Sequence, residues 1–469
     1  MNSGTTFAQA VSMGATETEN GMPALASSGD PLVDMFFAIG SARNMDKTVL
    51  SKMWDAAFLT DPAIATKILF WARDIRGGAG ERQVFRDIIS GMDFLQPNIV
   101  KRNLHNIPLF GRWDDVLCLQ RRDYVLDFIG DVILNQKDGY QLAAKWMPRQ
   151  GSFAAIMAKH LKISPKNWRK LLVRSSNTVE QKMCAKEWDK IEYSHVPSIA
   201  AKMYQKAFGA HDPAGYAKYK EQLASGEAKV NAGAIFPHDV IVGIKKGDAV
   251  VGQAQWDALP NFMGDNSALA MIDTSGSMGC PAGGSSVMCL DVALALGLYI
   301  SEKQSGSFKD TYLTFSNKPK LAQFSGNTVA EKLANMDMDD WNSNTNIEAA
   351  VGEILRVAVR HNVPAENMPK FLVILSDMQF DQCVKDPSQD AMRMMKGLFA
   401  QAGYELPKVV FWNLNAKSNV PVKFTESNVA CVSGFSPAIM KAVLAAKSLT
   451  PYDLMMDTIS NERYNGVVV

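Results

Sequence analysis

Long apolar runs are absent from this chain. The longest, Val292-Ala-Leu-Ala-Leu-Gly-Leu-Tyr-Ile300, is nine residues and includes a glycine, whereas a membrane-spanning helix needs about twenty. No Lys or Arg precedes Arg43, so the charged start of a signal peptide is missing as well. The six cysteines (118, 184, 280, 289, 383, 431) show no CxxC and no paired spacing, which predicts free thiols in a reducing, cytoplasmic setting. The six histidines show neither HExxH nor paired-ligand spacing, and no Gly-x-Ser-x-Gly or Cys/His pattern stands in a plausible context. Catalysis is therefore not expected. Charge of one sign is lacking too: 49 Lys and Arg face 48 Asp and Glu, a net +1, so the overall balance selects no partner.

What the chain does have is core. Apolar residues are 47% and charged residues 21% of its 469 positions, a globular composition at a length that suggests two or three domains. Residues 1–30, rich in Ser, Thr, Gly and Ala without periodicity, are expected to be a mobile arm. From 31 to 224 the pattern is helical, in short closely spaced helices that suit a HEAT-like solenoid, although no clean repeat is visible. Asp30-Pro31, Asp61-Pro62 and Ser164-Pro165 each read as a cap followed by proline at the first helical position. The span 225–265 is expected to be a connector, with strand-like runs at 239–243 and 249–251. From 266 to 469 buried apolar strands (268–272, 311–315, 371–375, 409–412, 428–432) alternate with amphipathic helices. That alternation predicts a parallel doubly wound sheet, whose ligands sit at the carboxyl ends of strands.

At the end of the first such strand stands Asp273-Thr-Ser275-Gly-Ser277. Thr345 lies in the loop that opens a helix near Asn346, and Asp377 directly follows the strand 371–375 and Ser376. Asp273, Ser275, Ser277, Thr345 and Asp377 thus fall on loops at one sheet edge. Three hydroxyls supply neutral oxygens and two carboxylates supply charge, a set suited to Mg²⁺ with one position left open for a carboxylate or phosphate. The plainer alternative is that Asp273 and Ser277 only cap helices. The five residues resemble the metal-ion-dependent adhesion site (MIDAS) of von Willebrand factor A domains, with no position missing. The resemblance spans roughly residues 262–450. It implies one divalent cation, Mg²⁺ or Mn²⁺, and binding more often than catalysis.

Two features mark the helical half. Arg73-Asp-Ile-Arg76-Gly-Gly-Ala-Gly80-Glu-Arg82 is a glycine-rich turn flanked by arginines. It can cradle an anion through backbone N–H groups, or serve as a helix–helix turn that needs positive φ. The second feature is electrostatic. Between Tyr140 and Arg174 there is no Asp or Glu, while Lys145, Arg149, Lys159, Lys162, Lys166, Arg169, Lys170 and Arg174 give eight positive charges. Lys166, Lys170 and Arg174 recur every four residues and share one helix face, with Leu171 and Leu172 facing away. A solvated face normally mixes signs, so phosphate backbone is the natural counterpart.

Helices followed by a von Willebrand A domain look like the Ro autoantigen (TROVE) group, and more closely its Ro-like branch. The likeness rests on Leu32 to Asn44, the Arg73–Arg82 stretch, Gly111-Arg-Trp-Asp-Asp115, Cys184-Ala-Lys-Glu-Trp-Asp189, Val196-Pro-Ser198 and Leu449-Thr-Pro-Tyr-Asp-Leu454. It implies a multidomain fold: an all-α HEAT-repeat ring closed by an α/β doubly wound, Rossmann-like von Willebrand A domain. It further implies a non-catalytic, monomeric ribonucleoprotein component that binds small non-coding or misfolded RNA on a basic outer surface and single-stranded RNA ends in a central hole. A protein-interaction adaptor is the competing class, with the MIDAS metal taking an acidic side chain of a partner such as an AAA+ ATPase.

Overall fold

The computed structural model describes residues 15–119, 122–230, 232, 235–247, 249–282, 287–315, 318–336, 344–382, 390–417, 419–445 and 449–469. Helix starts follow local chemistry. Asp30 Oδ1 accepts from the Leu32 and Val33 amides (2.8 and 3.2 Å) ahead of the helix Pro31–Ile39. Asp61 does the same for Pro62–Arg73, and Ser164 Oγ caps Pro165–Ser175. Each carboxylate or hydroxyl satisfies amides that the first turn leaves unpaired. No helix among the described residues is long and apolar enough to cross a membrane.

Near the start of the chain, β1 (Ala15–Glu17) and β2 (Pro23–Leu25) pair as an antiparallel hairpin. The C-terminal half supplies β3 (Ala268–Asp273), β4 (Thr311–Phe315), β5 (Lys320–Gln323), β6 (Phe371–Ser376), β7 (Lys408–Asn413) and β8 (Val429–Ser433). These six form one sheet in the order β5-β4-β3-β6-β7-β8. All neighbours run parallel except β4 and β5. Alternate residues enter separate cores. Ala270, Ile272, Val373, Leu375, Val410 and Trp412 join the core shared with the N-terminal helices, whereas Leu269, Met271, Ile374 and Phe411 join a second core on the opposite face. The N-terminal helices and the sheet are therefore not independent bodies. A third, aromatic-rich core holds Tyr193, Phe208, Tyr216 and Tyr219.

Two expectations are corrected. From Ala15 onward the supposed mobile arm is the packed β1–β2 hairpin, while 1–14 lie outside the described residues. Met22 is buried in the second core, Thr18 Oγ1 donates to the Phe380 carbonyl (2.6 Å), and Leu25 exchanges backbone bonds with Val420. Composition alone suggested disorder, but one anchored methionine and edge-type pairing suffice. The strand-like runs in the connector are helices, Pro237–Lys245 and Ala249–Asp257. A short β-branched run cannot be told from the buried side of a helix by pattern, and Pro237 at the first helical position favours the helix.

The helices form a path that starts and ends on the sheet half. Pro31–Ile39 packs against β8, and Pro237–Lys245 packs against the helix Cys289–Glu302. At the first junction Gly40 is required, since a Cβ there would lie 2.3 Å from the Ser433 carbonyl oxygen. The chain ends interlock as well. Arg463 Nη2 donates to Asp74 Oδ1 (2.7 Å) and Tyr464 to Asp74 Oδ2 (3.1 Å), while the Asn106 amide reaches the Gly466 carbonyl (2.8 Å).

The glycine-rich turn is built as a structural joint. The amides of Gly78, Ala79 and Glu81 are consumed by Asp74, Trp71 and Ala72 carbonyls. A Cβ on Gly78 would sit 1.9 Å from the Trp71 oxygen. Arg73, 2% exposed, pairs with fully buried Asp115 (2.6 Å), which also takes Arg86 (2.7 Å). Burial pulls the Arg73 guanidinium pKa down and Asp115 opposes that shift. Asp115→Ala should therefore cost about 3–5 kcal/mol, because it strands a buried guanidinium. A urea-midpoint series showing less than ~1 kcal/mol would mean that water already compensates Arg73.

Candidate metal centre and basic cavity

The sheet order reverses direction between β3 and β6, the place where doubly wound sheets leave a crevice at strand carboxyl ends. Asp273 closes β3 and Asp377 follows β6, so the fold brings both carboxylates to that crevice. Asp273 is fully buried; Oδ1 accepts the Ser275 amide (2.9 Å) and Oδ2 accepts the Ser376 hydroxyl (2.5 Å). Ser275 Oγ lies 3.1 Å from Ser277 Oγ, and the Ser277 hydroxyl favours the ionised form of Asp377. Thr345, 1% exposed, precedes the helix Ile347–Arg360, and its carbonyl accepts the Asp381 amide (2.9 Å). All five expected oxygen residues come from the loops at this one sheet edge.

This cluster has unmet bonding capacity. Thr345 Oγ1 and Asp377 Oδ2 are buried without a hydrogen-bond partner, which is uncommon in a folded interior. Burial, with the Asp377 charge as second cause, pushes Asp273 up to about 7, and burial likewise raises Asp377. Two desolvated carboxylates and three hydroxyls form a donor set that fits a hard, oxygen-ligated dication. Ser376, which orients Asp273, is a participant that sequence reasoning passes over; its position next to Asp377 is the available signal.

A second concavity, of about 830 Å³, lies where the helical path meets the sheet half. Its walls include Arg43, Arg73, Arg82, Arg112, Lys145 and Arg149, against the acids Glu180 and Asp239. Arg112 stacks on Trp146 at 4.3 Å and pairs with Asp114 (2.8 Å), and Lys145 pairs with Glu180 (3.4 Å). Arg82 and Arg149 are exposed and make no ion pair among the described residues. Burial, then the like charges of Arg112 and Arg86, lowers the Arg82 pKa, the mark of crowded cations. Trp146, Tyr204, Phe236 and Phe435 add aromatic surface. Sequence alone does not reveal the contribution of Arg43, Arg82 and Arg112, because these residues are far apart along the chain.

The eight expected basic residues divide. Lys145 and Arg149 turn into the cavity, whereas Lys159, Lys162, Lys166, Arg169, Lys170 and Arg174 are exposed with no acidic partner among the described residues. Trp168, Leu171 and Leu172 are the buried side of Pro165–Ser175, and Trp168 Nε1 donates to the Pro148 carbonyl (3.0 Å). That anchor fixes which face of the helix carries charge outward.

Residues 267–464 match a family model described as Domain of unknown function (DUF7788), and residues 18–119 and 156–269 match one described as Domain of unknown function (DUF2828). The two meet at the start of β3. A relative from Acanthamoeba polyphaga mimivirus, "Uncharacterized protein L728", is 27% identical over 519 residues, covering 96% of this chain and 88% of its own. Among solved structures, that of the Deinococcus radiodurans RO (RSR) protein superposes with a TM-score of 0.39 and 12% identity, over 92% of this chain and 100% of that one.

The raised carboxyl gives a signed expectation. Asp273 stays protonated in the fold up to about 7, against an ordinary value of 3.8. The unfolded chain releases that proton first, so rising pH favours unfolding across this window. With EDTA present, urea midpoints should fall as pH rises between those values, and Asp273→Asn should flatten the dependence. A midpoint that rises through the window in wild type would contradict the assignment.

Proposed function

We propose that this chain is a non-catalytic RNA-binding protein of Ro type, with RNA on the basic outer helices and a strand reaching the cavity. One observation carries the reading: six exposed Lys and Arg side chains on 159–174 that make no ion pair among the described residues. An unopposed patch of this kind attracts the phosphate backbone through counter-ion release. Lys145 and Arg149 continue the charge inward to a cavity whose aromatic side chains offer stacking surface for unpaired bases. The resemblance to Ro-like proteins in sequence motifs supports the same reading.

The proposal includes a divalent cation, Mg²⁺ or Mn²⁺, held by Asp273, Ser275, Ser277, Thr345 and Asp377. The unpartnered Thr345 and Asp377 oxygens support it. Such an ion would supply a Lewis-acidic position for a carboxylate or phosphate; the chain's own part is to hold the oxygens in place and bury the two acids. The same observation favours a second reading, an adaptor whose metal takes an acidic side chain from a partner protein.

Binding of a small structured RNA should follow log K against log salt with a slope of about −0.7 for every phosphate neutralised on single strands. Lys166→Glu with Lys170→Glu should weaken binding to unrelated sequences alike. The slope should become shallower by about 0.7 for each phosphate that the reversed residues no longer neutralise. Arg149→Glu should selectively weaken RNAs with single-stranded ends. Unchanged affinity and slope in the double reversal would move the adaptor reading into first place. Calorimetric titration should show one Mg²⁺ site of modest affinity that Asp273→Ala abolishes, while RNA affinity changes little. A persisting one-site isotherm in that variant would remove the metal assignment.

A further inference from the structure

Cys280 and Cys289 stand opposite each other, one just after the Ser277 turn and the other at the start of the helix Cys289–Glu302. The pairing continues inward from them: Pro281 bridges Met288 in antiparallel fashion, the Ala282 amide donates to the Val287 carbonyl (2.7 Å), and the Cys289 amide donates to the Cys280 carbonyl (3.0 Å). The two sulfurs are 3.4 Å apart. No other pair of described cysteines is in such contact. The 280–281 segment is held by Asn44 donating to the Pro281 carbonyl (3.0 Å) and by Asn415 donating to Cys280 Sγ (3.4 Å). Ala282 and Val287 form part of the cavity wall.

We propose that Cys280 and Cys289 are a dithiol modification site that closes to a reversible intrachain disulfide and staples the paired segments 280–282 and 287–289. The two thiols differ in the way an attacking and a resolving cysteine must. Cys280 is half-buried and Cys289 is buried at the first turn of Cys289–Glu302. Cys280, the more accessible of the two, is the thiol that meets an oxidant first. With a disulfide oxidant such as oxidised glutathione, Cys280 sulfur attacks one glutathione sulfur, forming a mixed disulfide and expelling a glutathione thiolate. Cys289 sulfur then attacks Cys280 sulfur and expels the second thiolate. The Cys289 proton and one from solvent protonate the two departing thiolates. The protein loses two electrons and two protons, and the oxidant becomes two reduced glutathiones. Reversal needs only excess reduced glutathione. The cross-link joins positions that already stand opposite each other in the paired segments. Its effect is to fix the strand pair that carries Ala282 and Val287 into the cavity.

The test uses the full chain, incubated in mixtures of oxidised and reduced glutathione, alkylated and read by peptide mass spectrometry. Expected is a Cys280–Cys289 linked peptide, lighter by two hydrogens, while exposed Cys184 is recovered as a glutathione adduct or alkylated. Cys289→Ser should trap Cys280 as the glutathione adduct, and Cys280→Ser should leave Cys289 unmodified; circular dichroism checks that each variant is folded. If either variant unfolds, the wild-type linkage map alone decides. Recovery of Cys280 and Cys289 both alkylated, or of Cys280 as a stable glutathione adduct in wild type, under conditions that modify Cys184, would overturn the proposal. In the oxidised chain the Ala282 amide should exchange several-fold more slowly than in the reduced chain. Equal exchange in the two would show that the cross-link does not staple the paired segments.

Discussion

Arg73 and Asp74, consecutive residues at the end of one helix, hold two partners on opposite sides. Arg73 reaches inward to buried Asp115 and Asp74 reaches Arg463 and Tyr464 near the chain's end. A buried guanidinium is tolerable only with its carboxylate in place, so the position of Asp115 is fixed, and with it the Gly111–Asp115 loop. The same turn therefore ties the first helices to the last residues. The sheet half is held between the two. Gly40 against Ser433 on one side and Pro237–Lys245 against Cys289–Glu302 on the other join the helices that wall the cavity to the sheet half.

That constraint explains how a near-neutral chain can present concentrated charge. Most acids near the cavity are already engaged by specific arginines: Glu81 by Arg43, Asp114 by Arg86 and Arg112, Asp115 by Arg73 and Arg86. The arginines outnumber them, and Arg82 and Arg149 are left over among the described residues. On the outside of 159–174 the Lys and Arg side chains make no ion pair among the described residues; Asp127 there pairs with His160. The outcome is a local field that the whole-chain balance hides.

At the sheet's carboxyl edge the opposite sign is concentrated, and there burial sets the energetics. Two carboxylates withdrawn from water oppose ionisation, and hydroxyls from Ser275, Ser277 and Ser376 only partly offset that cost. Such a cluster is poorly stable as two bare anions. A proton or a cation relieves it, which is why the unpartnered oxygens of Thr345 and Asp377 carry weight beyond their number.

The sequence alone marked the parallel strands, the capped helix starts and the five oxygen residues. Each depends on local pattern: apolar runs set β3 and β6, and an Asp or Ser one or two residues beyond a strand must lie at its carboxyl end. It also marked the eight cations, since charge counts need no geometry. Local pattern failed where distant contacts decide. Met22 and the Leu25–Val420 pairing turn a Ser/Thr-rich arm into a hairpin, and packing against Cys289–Glu302 makes helix of a Val-Ile-Val run. The glycine-rich turn suits cradle and joint equally until its amides are seen to be used by neighbouring carbonyls. Likewise the spacing of Cys280 and Cys289 has no signature, because nothing in a nine-residue separation says that the two thiols come together. Which cations line a cavity and which face solvent was left to tertiary structure, because the same charge pattern satisfies either surface and only the burial of Trp168 and its neighbours orients the helix.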